Sequence, residues 1–194
     1  MSRAILLAAL LVLAAPTGAA VAAGMTEADL LGKDPGNQAA YSCFSRHYDA
    51  AHLQSHPKQN VTDMRVFVES TYNAESDSHR DDYLTIGMNF RTLKTEFRVD
   101  GGCPMQDGKL TCGGDCGGGG TFAVESADKG SIMVAIPDGA PVYDPASNDE
   151  PPDGAAFGSD DKLFKLDRVD LKQCDPLMSD DDRTAIYGKT ETAK

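Results

Sequence analysis

The chain has 194 residues, 41% of them hydrophobic, enough for one domain with a sizeable core and too few for several. Thirty acidic side chains against 18 basic ones give a net charge of -12. That balance excludes nucleic acid and anionic lipid as partners, because phosphate binding rests on Lys and Arg, and it favours a basic protein, a metal ion or a neutral ligand.

Residues 1–23 have the three parts of a secretory signal peptide: Arg3, an apolar run from Ala4 to Ala15, and small residues from Ala20 to Gly24. The run is shorter than the roughly 20 residues a spanning helix needs. We therefore expect cleavage and a periplasmic or secreted product with no membrane span. Residues 24–176 are expected to form a single disulfide-tied β-rich domain, and 177–194 a polar C-terminal tail.

From Asn37 to His56 the spacing predicts a helix. Ala40, Cys43, Phe44, His47 and Ala51 fall on one face of a 3.6-residue period. Asn37 is positioned to cap it, and Pro57 stops it. The period then switches to two. Met64, Val66 and Val68 alternate with polar residues, leaving Phe67 on the outer face, and Leu84, Ile86, Met88 and Phe90 repeat the pattern. Leu93, Phe97 and Val99 then occupy odd positions, so a turn near Arg91 must reset the inward face. Further strands are predicted at Lys109–Cys112, Thr121–Glu125, Ser131–Ile136 and Leu163–Cys174. About seven antiparallel strands with one N-terminal helix make this a mainly β protein, a small antiparallel barrel or sandwich.

All five cysteines lie beyond the leader, and in an oxidising compartment their default is the disulfide. Asp107-Gly108 is a strong hairpin turn. Counting back from it, Met105 faces Leu110 and Cys103 faces Cys112. Such a non-hydrogen-bonded pair holds Cα atoms roughly 4.5 Å apart, within disulfide range. Pro104 argues for an edge or bulge there. Cys43 and Cys174 are then placed to tie the two ends of the domain. Cys116 is left over, although Cys112–Cys116 or Cys103–Cys116 would also satisfy the loop.

The segment from Cys112 to Gly120 offers a C-x3-C pair and a glycine run. The pair precedes a strand rather than a helix, and no Lys or Thr completes a P-loop. A disulfide-pinned loop with positive φ angles is the simpler account. His52 and His56 are one helical turn apart, the spacing of a two-histidine metal site. His79 or an Asp would supply the third ligand. Cys43 and His47 are one turn apart, the spacing of a nucleophile and base. Asp144, Asn148, Asp149, Glu150 and Asp153 have oxygen for calcium but not EF-hand spacing.

The segment His52-Leu53-Gln54-Ser55-His56-Pro57-Lys58-Gln59, followed by Cys112-Gly113-Gly114-Asp115-Cys116-Gly117-Gly118, resembles a group of uncharacterised exported bacterial proteins. That resemblance covers most of the mature domain and implies no activity, cofactor or site residue. The sequence therefore reads as an exported, non-enzymatic module that binds an unknown protein or small ligand and needs no cofactor. The alternative is a metal-binding protein or hydrolase centred on His52 and His56.

Overall fold

The computed structural model describes residues 24–76, 79–113, 121–147 and 149–188. The expected leader and Cys116 lie outside them. One antiparallel sheet dominates, curled into a half-barrel. Its strands are β1 (Ala40–His47), β2 (Val61–Tyr72), β3 (Arg80–Phe90), β4 (Phe97–Gly102), β5 (Met105–Gln106), β6 (Lys109–Gly113), β7 (Thr121–Ser126), β8 (Ser131–Ala135) and β9 (Leu163–Val169). The spatial order is β4-β3-β2-β1-β9-β8-β7-β6-β5. Every neighbour is a sequential hairpin partner except β1 and β9.

The inward face follows the period-two pattern. Met64, Val66 and Val68 on β2 stand opposite Met88, Ile86 and Leu84 on β3, and all six are fully buried. Phe44, Phe90, Phe97, Phe122 and Phe164 fill the concave side, each at most 2% exposed. The turn expected near Arg91 separates β3 from β4 and restores the inward face at Phe97 and Val99.

The two edges of the sheet approach each other at one corner without pairing as strands. The chain passes from β4 at one edge to β5 at the other through Cys103 and Pro104 alone. The Cys103–Cys112 disulfide spans the same corner, with Cα atoms 4.1 Å apart. Asp107 and Gly108 both take positive φ, as a two-residue hairpin turn of this type requires, and Gln106 pairs with Lys109. At the β4 edge, Tyr143 exchanges two backbone hydrogen bonds of 2.9 Å with Arg98, which covers unpaired edge groups.

A short helix, α1 (Glu27–Leu31), precedes the sheet. Thr26 and Asp29 form its capping box, Gly32 ends it at φ 80°, and Leu30 and Leu31 enter the core. Met25 donates to the Gly108 carbonyl at 2.8 Å. A Cβ on Gly24 would lie 2.7 Å from the Gly108 Cα, so the backbones touch. Arg80, 4% exposed, holds the segment after α1. Its guanidinium donates to the carbonyls of Gly36, Gln38 and Ser70 at 2.7–2.9 Å.

Three expectations are corrected. The helix expected from Asn37 to His56 is a strand over Ala40–His47, and only α2 (Ala50–Ser55) is helical. The strand has both faces covered: Ala40, Ser42 and Phe44 are buried on even positions, while Cys43 joins a second cluster on the odd ones. Apolar residues on both parities hide a period of two and imitate a helical stripe. The strand expected to reach Cys174 ends at Val169. The Asp170 carboxylate accepts from Lys172 N at 2.9 Å and starts a 3-10 helix, η1 (Leu171–Leu177). Finally, the expected polar tail contains a helix, α3 (Asp180–Tyr187), with a Ser179–Asp182 capping box. Its three first-turn aspartates complement the positive helix end, so charge that reads as disorder acts here as a helix start.

η1 covers the outer face of β1–β3, and α3 follows it with Ile186 packed against the same cluster. The Cys43–Cys174 disulfide links them to the sheet, and Leu177 and Met178 pack with Phe67. Gly87 leaves room for Leu177, whose Cδ2 would lie 2.5 Å from a Cβ there. Arg65 donates to the Gln173 carbonyl at 3.2 Å and Arg98 to that of Pro176. Both arginines ion-pair with Glu96.

Candidate functional site

With the concave side filled by buried phenylalanines, the hollows described below lie at the surface. The first candidate lies beside α2, where β1 and β9 part: they pair only at Cys43–Val169, Phe44–Arg168 and Ser45–Asp167. Beyond that point a depression of about 440 Å³ is lined by Arg46, Tyr48, His52, His56, Leu163 and Lys165, among others.

Asp49 caps α2, accepting from His52 N at 2.7 Å. The Arg91 guanidinium closes the other end, donating to the carbonyls of Leu53 and His56 at 2.7 and 2.8 Å. Four planar groups then stack in a row. Arg46 lies 5.6 Å from the Tyr48 ring centroid, Tyr48 4.7 Å from His52, and His52 4.3 Å from His56 at an interplanar angle of 16°. Burial pushes the Tyr48 hydroxyl up to about 12, so it stays protonated.

The histidine contacts are those of a buttress. Gln59 donates through Nε2 to the Val61 carbonyl at 2.8 Å. Its Oε1 therefore faces His52 Nε2, 3.0 Å away, and that nitrogen carries the proton. His56 Nδ1 stands 3.0 Å from the His52 carbonyl and by the same logic donates to it. Stacked, nearly parallel imidazoles hold their nitrogens in separate planes, whereas ligands of one ion must converge to about 2.0–2.1 Å from it. His79 sits in the β2–β3 turn and does not line the depression. Among the described residues, no three His, Cys, Asp or Glu side chains are grouped to hold a metal ion. Cys43 is disulfide-bonded and His47 is bonded to Asp63 at 2.6 Å, so the two form no nucleophile–base pair.

Nearby, Asp161 is completely buried. Its carboxylate accepts backbone N–H groups from Asn60 at 2.7 Å, Gly158 at 2.8 Å and Val61 at 3.2 Å. It locks the 158–161 loop to the start of β2. Burial raises its carboxyl above the ordinary range, against the pull of those hydrogen bonds.

The second candidate is a slot of about 290 Å³ between the outer face of β2–β4 and the junction of η1 with α3. Rings of Phe67, Tyr83 and Tyr143 line it, together with Met178. So do three carboxylates on three different elements: Glu69 on β2, Asp100 on β4 and Asp182 on α3. Arg98 is the one cation among its lining residues. Burial, then the charge of Asp182, holds the Glu69 carboxyl above its usual value. Asp100 accepts from the Tyr143 hydroxyl at 2.5 Å. A third hollow, of about 570 Å³, lies between the 138–142 and 155–157 loops and is lined mainly by small and apolar groups.

The structure pairs Cys103 with Cys112 and Cys43 with Cys174. Sequence reasoning reached His52 and His56 and missed the slot, because its walls come from separate strands, a loop and a helix with no shared motif. Compared with known proteins, the chain matches no family model, no curated protein and no solved structure.

Proposed function

We propose that this is an exported, non-enzymatic binding domain that takes a basic protein on its outer surface, in the periplasm or the medium. The observation that carries the reading is the filled interior. Five phenylalanines occupy the concave side at no more than 2% exposure, which leaves no lumen for a small apolar ligand of the kind larger barrels enclose. Recognition then falls to an exterior whose net charge of -12 attracts and steers a cationic partner. Two disulfides suit an oxidising, non-cytoplasmic compartment. No helix among the described residues is long and apolar enough to cross a membrane.

The test is a calorimetric titration of the oxidised, leader-free protein with a basic muramidase, as one cell-wall-degrading enzyme of suitable charge. One-to-one binding at about 10 µM or tighter in low salt, weakening steeply as salt is added, is the expected result. Absence of heat and of muramidase inhibition at low salt would remove this reading.

A further inference from the structure

Where β3 begins and the chain crosses from β4 to β5, a hollow of about 440 Å³ is lined by Asp82 of β3, Gly102 of β4, the Cys103-Pro104 corner and Met105 of β5, among others. Asp82 shares its strand face with Leu84, Ile86 and Met88 and is only 5% exposed. One of its carboxylate oxygens accepts from the Ser70 hydroxyl. The other, Oδ2, has no hydrogen-bond partner among the described residues, and the side chain that carries it borders the hollow. Burial pushes the Asp82 carboxyl above the ordinary aspartate range, against the pull of the Ser70 hydroxyl and the Arg80 charge. A carboxylate taken out of water with one oxygen unpaired calls for a donor.

A second acceptor stands beside it on the open edge of β4. Cys103 N donates to the Asp82 carbonyl at 2.8 Å. Alternation along the strand therefore turns the Gly102 N–H and C=O away from β3, to the side where no strand pairs with them.

The donor that fits is a compact cation. Arg80 supplies one positive charge, but its guanidinium is committed to the Ser70 hydroxyl, to the carbonyls of Gly36, Gln38 and Ser70, and to Glu27 at 3.6 Å. Glu27, Asp81 and Asp82 act on one another across this corner and together outweigh it. A second guanidinium would bring five N–H groups to too few acceptors, whereas an ammonium is a point charge with three. A metal ion is not served, because no three His, Cys, Asp or Glu side chains among the described residues are grouped to hold one. Pro104 and the half-buried Met105 give the wall an apolar stretch along which an alkyl stem lies while its charged end reaches the carboxylate.

We infer that this hollow takes a primary ammonium on an unbranched alkyl stem, a lysine side chain of the partner protein, with Asp82 Oδ2 and the Gly102 carbonyl as its acceptors. This deepens the basic-partner reading and rests on it.

The experiment follows backbone amide shifts of the isotopically labelled, oxidised protein during titration with capped Gly-Lys-Gly. The same peptide with acetyl-lysine, with norleucine and with arginine serves for comparison, and cadaverine represents a free amine. The lysine peptide should move the amides of Asp82, Gly102, Cys103, Met105 and Gln106. The arginine peptide should bind more weakly, and the two uncharged peptides should not bind. This series on the unaltered protein decides the matter even if a variant fails to fold. Asp82→Asn, which keeps an acceptor for Ser70, should weaken the lysine peptide about tenfold, the loss of one charge-assisted hydrogen bond. Asp153→Asn, an equal charge change on an exposed loop, should leave it within about twofold.

Equal binding of the acetyl-lysine and lysine peptides, or equal losses from Asp82→Asn and Asp153→Asn, would overturn the site. Cadaverine binding more than about tenfold tighter than the lysine peptide would assign the hollow to a free amine and overturn the protein source. Muramidase binding that survives those results would leave the basic-partner reading standing. Specific lysine binding without any muramidase binding would do the reverse.

Discussion

Removing the two disulfides separately should expose their different stabilising roles. The Cys43–Cys174 bond closes a sequence separation of 131 and Cys103–Cys112 one of 9. In the chain-entropy model the long loop restricts the unfolded chain by about 5 kcal/mol and the short one by about 2.5 kcal/mol. The folded geometry should survive either loss. Leu177 and Met178 still pack on Phe67, and Arg65 still binds the Gln173 carbonyl. At the other bond the Asp107-Gly108 turn still sets the register. The variants are Cys43→Ala with Cys174→Ala, and Cys103→Ala with Cys112→Ala, each in a Cys116→Ser background so that no spare thiol exchanges. Urea unfolding should show the first pair costing about twice the second. Its m-value should also rise more, because a larger unfolded chain is released. A loss of about 5 kcal/mol is comparable to the whole stability of many domains. If the short-loop variant lost as much as the long-loop one, the entropic reasoning would be refuted.

Asp161→Ala orphans three N–H groups, that of Val61 buried and those of Asn60 and Gly158 half-buried, at roughly 1–3 kcal/mol each. It should cost at least about 3 kcal/mol in urea unfolding, with Asp161→Asn losing less because one acceptor remains. Changing both His52 and His56 to Ala removes the Gln59 contact and the His56 side-chain bond to the His52 carbonyl, while the backbone cap of α2 remains. We expect a melting temperature lower by about 2–4 °C, corresponding to about 1 kcal/mol for a chain of this size, with metal content by elemental analysis unchanged; zinc or copper lost in the double variant would contradict it. The raised Glu69 carboxyl means that the folded state holds that proton more tightly than the unfolded chain. Its contribution is present below the ordinary value of 4.5 and is lost as pH rises through the folded value. Glu69→Gln should accordingly flatten the acid-side stability profile and raise stability at neutral pH, measured by thermal melts across pH 3 to about 8.

The parts of the fold legible in the sequence are those where one face is buried and the other wet. Met64 to Val68 and Leu84 to Phe90 announce themselves by alternation, and Asp107-Gly108 sets the hairpin register that places Cys103 opposite Cys112. β1 escapes because it lies at the centre of the sheet with Phe44 inside and Cys43 under η1, so neither parity is polar. α3 escapes because a capping serine before three aspartates has the composition of a solvated tail. What marks it as structured is Leu177 and Met178 just ahead, an anchor visible only once the outer face of β2 is known. Arg80 stands among charged and polar residues in the sequence, yet it is buried, with the carbonyls of Gly36, Gln38 and Ser70 turned toward its guanidinium. The slot was illegible for a related reason: Glu69, Asp100 and Asp182 belong to three elements that meet only through tertiary packing.

The position of β1 also governs the order in which this protein can assemble. For a chain delivered from its amino end, β1 finds β2 early, but its other edge stays unpaired until β9 arrives. Met25 likewise waits for Gly108. Through most of delivery the strands β1 to β4 form a sheet with one open central edge and no η1 to shield Phe67, a state prone to pairing with neighbouring chains. Contacts this distant in sequence also slow closure. A truncation anywhere before Leu163 would therefore leave an adhesive half-sheet instead of a smaller stable protein, and the last thirty residues decide whether the first hundred stay apart from one another's copies.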